Sequence, residues 1–487
     1  MSQTPSVDIS IEERELGHIT KEQVDEEEID LQEDSSVEEF PMNKGYSWVI
    51  LCCTFILTMA AWGNNSGYAI YFAYYSSNEI YKGSTTLDFA AIGGIIFGVG
   101  ITFAPIINYI TGKLGLKWIL MLGNLFQFLS LFLTSFDSHK HLWQVFLTQG
   151  VLQSLGLALL GLPSFTILPH WFHNTGDKSH YRIKDRMLTL SQGISTAGSG
   201  AGGILFNLGM QKILESHGAA WALRTQSFIS LFLVTTSIIL LRERHSGVKI
   251  AFTLINMEIL KFPGFWGLVS YVTFSMLGYV VTLYSLADWT IALGYTAYQG
   301  SIVAAVVATG MIIGRPIIGM LSDRFGAFTV AGIVYLTCSI LVLTMWIVGK
   351  NYATALVFGL FMGALSGTFF PTFATVCLNV LGFRLAKFNV TFYMSWVSLG
   401  IAACFSPIIG IALRERAPGP LGYKFCAIFV GVSFLMNTLT IILLRGYVIS
   451  MRNITSPDMT DTQYFGSIPK LSDILRNCFR FRGVGWL

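Results

Sequence analysis

Apolar stretches about 20 residues long recur along the chain, and short polar or charged segments separate them. A stretch of that length crosses the hydrocarbon core of a bilayer as one α-helix. Twelve stretches fit this pattern, which predicts an all-α membrane protein with twelve transmembrane helices. The predicted spans are residues 46–74, 89–111, 118–136, 143–169, 186–210, 223–241, 265–292, 298–321, 328–349, 353–380, 388–413 and 424–444.

The twelve predicted helices form two sets of six, because a charged loop separates the sixth helix from the seventh. Two six-helix bundles that face each other across a central path are typical of membrane carriers. The first residues of the chain are acidic and poor in apolar side chains, so we expect them to be disordered. The predicted parts are an acidic cytoplasmic tail at 1–44, a bundle at 45–241, a cytoplasmic linker at 242–264, a bundle at 265–444 and a C-terminal tail at 445–487.

The composition supports a membrane protein and indicates its orientation. The chain is 53% hydrophobic and 12% charged, which is roughly half the charge of a soluble domain. The two tails and the even-numbered loops hold 22 Lys and Arg residues, whereas the odd-numbered loops hold eight. This bias predicts that both termini are cytoplasmic. We expect the plasma membrane, with the vacuolar membrane as the alternative, and contact with anionic lipid of the inner leaflet rather than with nucleic acid.

The motifs of soluble enzymes are missing from the sequence. It contains no phosphate-binding GxxxxGK[ST] loop, no HExxH zinc motif and no GxSxG nucleophile motif. The seven cysteines have no metal-ligand spacing. We therefore expect no enzymatic activity, no cofactor and no metal. No pore loop or ring of charges indicates a channel, which leaves a secondary carrier of a small organic solute, with or without protons.

One fixed charge interrupts the eighth predicted helix. Arg315 stands in the apolar sequence VATGMIIGRPIIGM, and a guanidinium cannot lose its proton. A charge at membrane depth costs several kcal/mol unless a partner or a water-filled cavity receives it. Arg315 is therefore the leading candidate for a solute contact, although it could also reach the headgroups or pair with a neighbouring carboxylate.

Polar side chains in the first and seventh predicted helices are further candidates for solute contact. Asn64, Asn65 and Ser66 interrupt the apolar run of helix 1, and polar helix segments near the midplane are where carriers bind solutes. These side chains could instead hydrogen-bond a neighbouring helix. Tyr284 and Asp288 lie near the end of helix 7, where Asp288 is either a buried carboxylate or one that faces the outside water.

Two other segments have more than one interpretation. Gly193, Ala197 and Ala201 recur every four residues in helix 5, which allows a close helix contact. That contact either slides during transport or is static. In the C-terminal tail, Ile468–Arg482 combines apolar and basic residues, which favours either a short helix on the anionic membrane surface or disorder.

The loop after helix 8 resembles a known family motif. Its residues GMLSDRFG, at 319–326, are similar to the GxxxDRxG loop of the major facilitator superfamily. The resemblance implies a cytoplasmic gate in which the Asp and Arg cap and pair at helix ends. The implied gating residues are Gly319, Asp323, Arg324 and Gly326. The counterpart after helix 2, Gly112–Lys117, lacks the Asp.

Three more stretches resemble the monocarboxylate-porter-like carriers, especially the fungal monocarboxylate transporter homologues. They are residues 43–48 at the beginning of helix 1, the segment from Trp171-Phe172 through 193–203, and Gly314-Arg315-Pro316. By resemblance, Arg315 matches the helix 8 arginine that contacts the substrate carboxylate in animal members. The family's Asp one turn earlier is Met311 here, and its helix 1 Lys corresponds to about Ser66. The resemblance implies a twelve-helix alternating-access carrier with an incomplete proton-coupling pair.

The expected function is secondary transport of a monocarboxylate-like organic acid, by a uniporter or a loosely proton-coupled symporter. Arg315 would contact the solute, with the polar residues of helix 1 opposite. One alternative is a facilitator of a neutral polar solute such as riboflavin or a polyol, because fungal relatives include carriers of uncharged heterocycles. Another is a nutrient sensor that does not transport.

Overall fold

The structure, a computed structural model, describes residues 44–77, 80–81, 83–137, 141–172, 187–242, 253–417, 419–455 and 459–478. The predicted acidic tail, apart from Lys44, lies outside the described residues. Part of the predicted linker and residues 479–487 lie outside them as well. Every regular element in the described part of the chain is helical, which confirms the all-α prediction.

The helices account for nearly all of the described residues. In chain order they are α1 (Tyr46–Ser77), α2 (Thr86–Thr102), α3 (Ala104–Leu114), α4 (Leu116–Asp137), α5 (Leu142–Phe172), α6 (Leu188–His217), α7 (Ala219–Leu240), α8 (Met257–Lys261), α9 (Pro263–Ala292), α10 (Ala297–Phe325), α11 (Ala327–Trp346), α12 (Tyr352–Leu365), α13 (Phe369–Val380), α14 (Leu385–Arg414), α15 (Gly422–Ile454), α16 (Asp461–Gly466) and α17 (Leu471–Asn477).

The helices match the predicted membrane spans. Among the described residues, ten spans are long and apolar enough to cross a membrane, with α12 and α13 counted as one. The pair α2 and α3, bent by 51°, is an eleventh if it is counted as one span. Helix α6 occupies the place of the predicted fifth span and is 30 residues long, but its many Gly, Ser and Thr residues make it less apolar. Each of the twelve predicted spans therefore coincides with a helix or a bent pair.

Two glycine-rich helix contacts cross the centre of the molecule. In the α6–α10 seam, a Cβ on Gly193 would meet the carbonyl oxygen of Arg315, and one on Gly200 would lie 2.6 Å from that of Ala308. In the α2–α14 seam, a Cβ on Gly94 would lie 2.5 Å from the carbonyl oxygen of Cys404. Backbones this close require glycine, because any larger residue would have to displace the facing helix.

Helix α6 also packs closely on α1 through a second set of glycines. A Cβ on Gly198 would meet the carbonyl oxygen of Phe55, and one on Gly202 would lie 2.8 Å from the Cα of Gly63. The predicted stripe of Gly193, Ala197 and Ala201 is therefore only part of the contact surface. Gly193 and Gly200 face α10, whereas Gly198 and Gly202 face α1, so α6 packs closely on two different neighbours.

The turns after α10 and α3 have the same construction. Gly326 ends α10 with φ 92° and Gly115 ends α3 with φ 87°, and each donates its N–H to the carbonyl four residues earlier. Left-handed backbone of this kind strongly favours glycine. Counting back three residues from each glycine places Asp323 in the first turn and Gly112 in the second.

The last long helix and the C-terminal tail form a packed unit. Helix α15 continues to Ile454, ten residues beyond the predicted end at 444. Helix α17 packs against this extension, where Arg445 Nη1 donates to the carbonyl of Cys478 at 2.9 Å and Asn477 donates to Ser450 at 3.0 Å. The helix predicted within Ile468–Arg482 is thus present. Its contact with a lipid surface stays a prediction.

The short helix α16 docks on the loop between α13 and α14. Arg384 forms a 2.7 Å ion pair with Asp461, and its guanidinium carbon lies 3.9 Å from the centroid of the Tyr464 ring. The Tyr464 hydroxyl donates to the carbonyl of Val380 at 2.9 Å. Burial raises the pKa of Tyr464 to about 12, so this hydroxyl stays protonated at physiological pH. The tail therefore contacts the end of α13.

Candidate functional site

A small cavity lies at the centre of the molecule between α1, α2, α5, α6, α9, α10 and α13. Its volume is about 30 Å³, far below that of a typical ligand pocket, so the site is closed in this conformation. Among the described residues that line it, Arg315 is the only charged one. The lining residues are Thr58, Trp62, Ser66, Phe97, Phe165, Thr196, Ser199, Tyr279, Leu283, Met311, Arg315 and Phe370.

The guanidinium of Arg315 is buried and held by neutral groups, with 2% of the residue's surface exposed. Nη1 donates to the carbonyl of Thr196 at 2.7 Å and to the hydroxyl of Ser199 at 2.5 Å, both on α6. Nη2 donates to the hydroxyl of Tyr279 on α9 at 3.1 Å, and Cζ lies 4.7 Å from the centroid of the Phe370 ring. Nε is buried without a hydrogen-bond partner. Three of the five N–H groups of the guanidinium are therefore used, and the N–H of Nε and the second N–H of Nη2 are left for an acceptor.

No carboxylate compensates this charge within the described residues. The salt bridges found there join Arg384 to Asp461, Lys387 to Glu258 and Arg414 to Asp288, and none includes Arg315. Arg315 also fails to reach the surface, because it is almost fully buried. The sequence offered two alternatives for Arg315, reaching the lipid headgroups or pairing with a carboxylate. Within the described residues, Arg315 does neither in this structure.

The unpaired edge of Arg315 faces a glycine at a helix break. Gly367 lies in the turn between α12 and α13, and a Cβ there would lie 3.1 Å from Nε, 3.0 Å from Nη2 and 3.4 Å from Cζ of Arg315. The added carbon would be almost equally far from Nε and Nη2 and farther from Cζ. It would therefore lie in front of the edge of the guanidinium that carries these two nitrogens. A carboxylate that binds an arginine in two-point fashion occupies this same region. Only glycine leaves that edge without a side chain against it.

The lining hydroxyls use their protons within the helices. Thr58, Ser66, Thr196 and Ser199 each donate to a backbone carbonyl three or four residues earlier, and Thr58 also donates to the carbonyl of Ser195. Their oxygens keep lone pairs that can accept. The indole Nε1 of Trp62 is buried without a partner and lies beside Gly161 of α5. Arg315 is thus the charged donor among the described residues that line the cavity.

Of the three predicted contacts on helix 1, the structure places only Ser66 at the cavity. Asn64 donates to the hydroxyl of Ser230 at 2.9 Å and accepts from Gln226 at 2.9 Å, which ties α1 to α7. Asn65 is buried, its Oδ1 has no partner, and it is not among the lining residues. Asn64 therefore follows the alternative interpretation, a hydrogen bond between helices.

The two predicted contacts on helix 7 lie outside the cavity lining. Tyr284 approaches α2, where a Cβ on Gly93 would lie 3.3 Å from its hydroxyl oxygen. Asp288 forms a 3.0 Å ion pair with Arg414, and both side chains are nearly half exposed. Asp288 therefore faces the exterior, as the second of the two sequence interpretations allows, and the structure does not bring it to Arg315.

The residues of the GxxxDRxG-like loop meet the beginning of α6. Asp323 accepts hydrogen bonds from the backbone N–H groups of Thr189 at 3.0 Å and Leu190 at 2.7 Å. A carboxylate at this position satisfies two free donors and stabilises the positive end of the helix dipole. A Cβ on Gly319 would meet the carbonyl of Thr189, while Arg324 is exposed and lies 5.5 Å from the Phe325 ring.

Several lining residues were not predicted. Tyr279 holds Arg315 and also donates to the sulfur of Met311 at 3.9 Å. The predicted helix 7, which is α9 in the structure, contains both Tyr279 and Tyr284. They are five residues apart, and such spacing places them on different faces of the helix. The sequence alone carries no signal for choosing the first. Phe370 and Ser199 are likewise ordinary residues of apolar or small-residue stretches.

Comparison with known proteins agrees with this architecture. The Major Facilitator Superfamily model matches residues 50–407. The probable transporter MCH2 of Saccharomyces cerevisiae is 40% identical over 445 residues, covering 90% of this chain and 91% of the yeast protein. The MFS transporter asaE of Aspergillus flavus is 23% identical over 414 residues, covering 82% and 86% respectively.

A solved structure supports the fold. The crystal structure of the E. coli fucose:proton symporter FucP superposes with a TM-score of 0.58 at 15% sequence identity, covering 82% of this chain and 99% of FucP. FucP in the outward conformation gives the same TM-score, at 14% identity. At this identity the likeness concerns the fold alone. With the family match and the yeast relative, it shows that this multi-pass membrane protein belongs to the major facilitator superfamily of transporters.

Proposed function

We propose that this protein is a secondary carrier that moves a monocarboxylate-like organic acid by alternating access. The observation that carries the proposal is Arg315, buried at the centre and hydrogen-bonded only to neutral groups. A charge at this depth is costly. A solute carboxylate would neutralise it and accept from the unpaired Nε.

The proposed architecture is the one expected from the sequence. Residues 45–241 and 265–444 form two six-helix bundles that rock about the central cavity. Both termini face the cytoplasm, since that assignment follows the bias of Lys and Arg, and the plasma membrane is the proposed location. The resemblance of Gly314-Arg315-Pro316 to monocarboxylate-porter-like carriers supports the choice of substrate.

The loop at 319–326 is the proposed cytoplasmic gate. Asp323 binds the first turn of α6, and the same helix carries Thr196 and Ser199, which hold Arg315. The gate and the solute site therefore share one helix. Release of Asp323 would let α6 move away from α10 and open the cavity on that side.

Arg315 and Ser66 are the solute contacts proposed first, because both line the cavity. Asn64 supports the site indirectly by fixing α1 against α7. Direct contact of Asn65, Tyr284 or Asp288 with the solute stays a prediction that would require another conformation.

The cavity also bears on proton coupling. Its described lining contains no Asp, Glu or His, and Met311 stands where the related proton-linked carriers have an Asp. The solute's own negative charge would compensate Arg315, so a bound anion leaves no net charge in the closed site. We therefore expect a uniporter whose uptake does not require a proton gradient.

The two alternative functions have less support. A neutral solute such as riboflavin or a polyol would leave the charge of Arg315 uncompensated. A non-transporting nutrient sensor would bind the acid without net flux. Measurement of flux separates the proposal from the sensor, and comparison of acids with neutral solutes separates it from the facilitator.

The test is uptake of labelled organic acids into proteoliposomes with and without an inward proton gradient. Arg315→Gln should abolish acid uptake, because the amide lacks the charge. The matched control is Arg414→Gln, which removes a half-exposed arginine and should retain uptake. Unchanged uptake in correctly inserted Arg315→Gln protein would refute the proposed role, and flux of neutral solutes alone would refute the substrate class.

A further inference from the structure

The walls around Arg315 are rich in aromatic side chains. Five of the residues that line the cavity carry aromatic rings, and they come from α1, α2, α5, α9 and α13. These rings are Trp62, Phe97, Phe165, Tyr279 and Phe370. A small hydrophilic acid would leave these faces without a matching partner, whereas an aromatic solute could stack or make edge contacts with them.

The rings already contact one another in the edge-to-face geometry that aromatic pairs prefer. The Trp62 centroid lies 5.3 Å from that of Phe97 and 5.4 Å from that of Phe370, with interplanar angles of 61° and 67°. Tyr279 and Phe370 are 5.5 Å apart at 70°. When the cavity widens to admit a solute, these pairs must separate. An aryl group inserted between them would restore contacts of the same kind.

The position of the rings relative to the charge sets the shape of the solute. Phe370 contacts both the guanidinium of Arg315, at 4.7 Å, and the ring of Trp62. A carboxylate on Arg315 therefore places the rest of the solute beside Phe370 and Trp62. A ring attached directly or by a short chain to the carboxylate would reach them.

The charges at the cavity exclude other classes of acid. A dicarboxylate would bring a second negative charge, and no second cation is among the described lining residues. An amino acid would bring an ammonium group, and the same lining offers no carboxylate to it. A buried charge without a partner is strongly unfavourable. The site thus matches a solute with one carboxylate and no amine.

We propose that the transported solute is an aromatic monocarboxylate without an amino group or a second acid group, held by Arg315 and by the rings of Trp62, Phe97 and Phe370. This inference rests on the proposed function and names its substrate class. Phe97 makes no hydrogen bond or ion pair with Arg315, and we assign it to recognition of the solute's aromatic ring.

The experiment measures how well unlabelled solutes compete with the uptake of a labelled organic acid into proteoliposomes near neutral pH. Uptake into protein-free vesicles is subtracted. The probes are phenylacetate, cyclohexylacetate, acetate, phenylalanine and phenylsuccinate. Phenylacetate should compete at about tenfold lower concentration than cyclohexylacetate, which corresponds to one or two aromatic pairs. Acetate, phenylalanine and phenylsuccinate should compete more weakly still.

A pair of variants connects this preference to the cavity. Phe97→Leu should reduce the advantage of phenylacetate over cyclohexylacetate, measured as the ratio of the two competing concentrations in the same variant. The control Phe361→Leu changes a phenylalanine on α12 that is 46% exposed and should keep the full preference. Loss of the preference in the control alone would overturn the assignment to Phe97.

The outcomes separate the two proposals. Uptake of acetate as efficient as that of phenylacetate would overturn the aromatic class and leave an organic acid carrier. Equal competition by phenylalanine or phenylsuccinate would overturn the charge selection. Uptake of neutral solutes with no carboxylate transported would overturn both proposals.

Discussion

The α6–α10 and α2–α14 seams are built from the same kind of residue, but within the described residues only the first has an arginine and an aspartate that bond across it. In both, glycines bring the backbones of two long helices into contact. Across the α6–α10 seam, Arg315 and Asp323 also donate to or accept from groups of α6. At the position that corresponds to Asp323, the turn that ends α3 has Gly112. One seam is thus held by packing and charge-assisted hydrogen bonds, and the other mainly by packing.

The difference indicates how solute binding and gating could be linked. The bonds from Arg315 to Thr196 and Ser199 use the cation that the proposed solute would also use. A carboxylate that shifts this guanidinium would weaken one of two attachments of α10 to α6 and leave Asp323 as the other. The turn that ends α3 has Gly112 and Lys113 in place of a carboxylate, so it offers no equivalent of the Asp323 bond. Solute binding should therefore act first on the α6–α10 seam.

The largest effect is expected from filling either seam. Gly200→Leu and Gly98→Leu should each lower the melting temperature in detergent and abolish uptake, because the side chain would meet facing backbone. Overpacking of a close contact costs about 1–3 kcal/mol or more. The control is Gly209→Leu on α6, where a Cβ has no neighbour within 4 Å and stability should be retained.

The two Leu substitutions should lower stability and uptake to a similar degree, because close packing of glycines is common to both seams. A variant at Gly98 as stable and active as the Gly209 control would contradict this and show that the α2–α14 seam is open in the working protein. A deleterious Gly209→Leu change would instead indicate a general effect of replacing glycine in this helix.

The second prediction tests the Nε–Nη2 edge of Arg315 separately from Nη1, which bonds to α6. Gly367→Ala should reduce carboxylate transport by about tenfold or more, because its Cβ would lie close to Nε and Nη2. The hydrogen bonds from Nη1 to Thr196 and Ser199 of α6 are on the other side, so amide exchange around these two residues should stay as in the parent protein. Uptake and hydrogen exchange measured on the same preparation provide the check. Normal uptake by this variant would mean that the solute does not use that edge.

The sequence predicted the helices because a bilayer requires long apolar segments with internally paired backbones. Arg315 could be found for the same reason, since one fixed charge in such a segment is conspicuous. The sequence could not predict that Ser66 lines the cavity whereas Asn64 does not, because this depends on how α1 is rotated about its axis. Close packing of Gly63 on Gly202 of α6 helps to set that rotation, and the pattern of α1 alone does not contain it.

The partner of Asp288 illustrates the same limit over a longer distance. Asp288 pairs with Arg414, 126 residues further along the chain, and only the assembled helices bring them together. Hydropathy identified α9 and α14 as spans without indicating which of their ends meet. The charge of Asp288 and its place near the end of helix 7 were therefore visible in the sequence, but its pairing with Arg414 was not.

A smaller effect is expected from removing the helix cap at Asp323. Asp323→Asn keeps one acceptor oxygen but loses the charge, and such changes at a helix N-terminus cost about 1 kcal/mol. Exchange of the amides of Thr189 and Leu190 should become faster, with less change in the α2–α14 seam. The control Asp288→Asn removes an exposed ion pair of about 0–1 kcal/mol and should leave exchange in α6 unaltered. Equal acceleration in both variants would mean that Asp323 has no specific role as a cap.

The smallest effect is expected from giving the turn that ends α3 a carboxylate like that of Asp323. Gly112 is exposed near the end of α3, which packs against α14, and the N-cap residue of α14, Arg384, makes no side-chain capping bond. Gly112→Asp should therefore slow amide exchange in the first turn of α14 by an amount that corresponds to a few tenths of a kcal/mol. Gly112→Asn is the matched control, because it has the same shape without the charge. Slower exchange with Asp alone would show that charge is what distinguishes the seams. Identical exchange in the two variants would place the difference in backbone geometry, since α3 is bent by 51° from α2 whereas α10 is continuous.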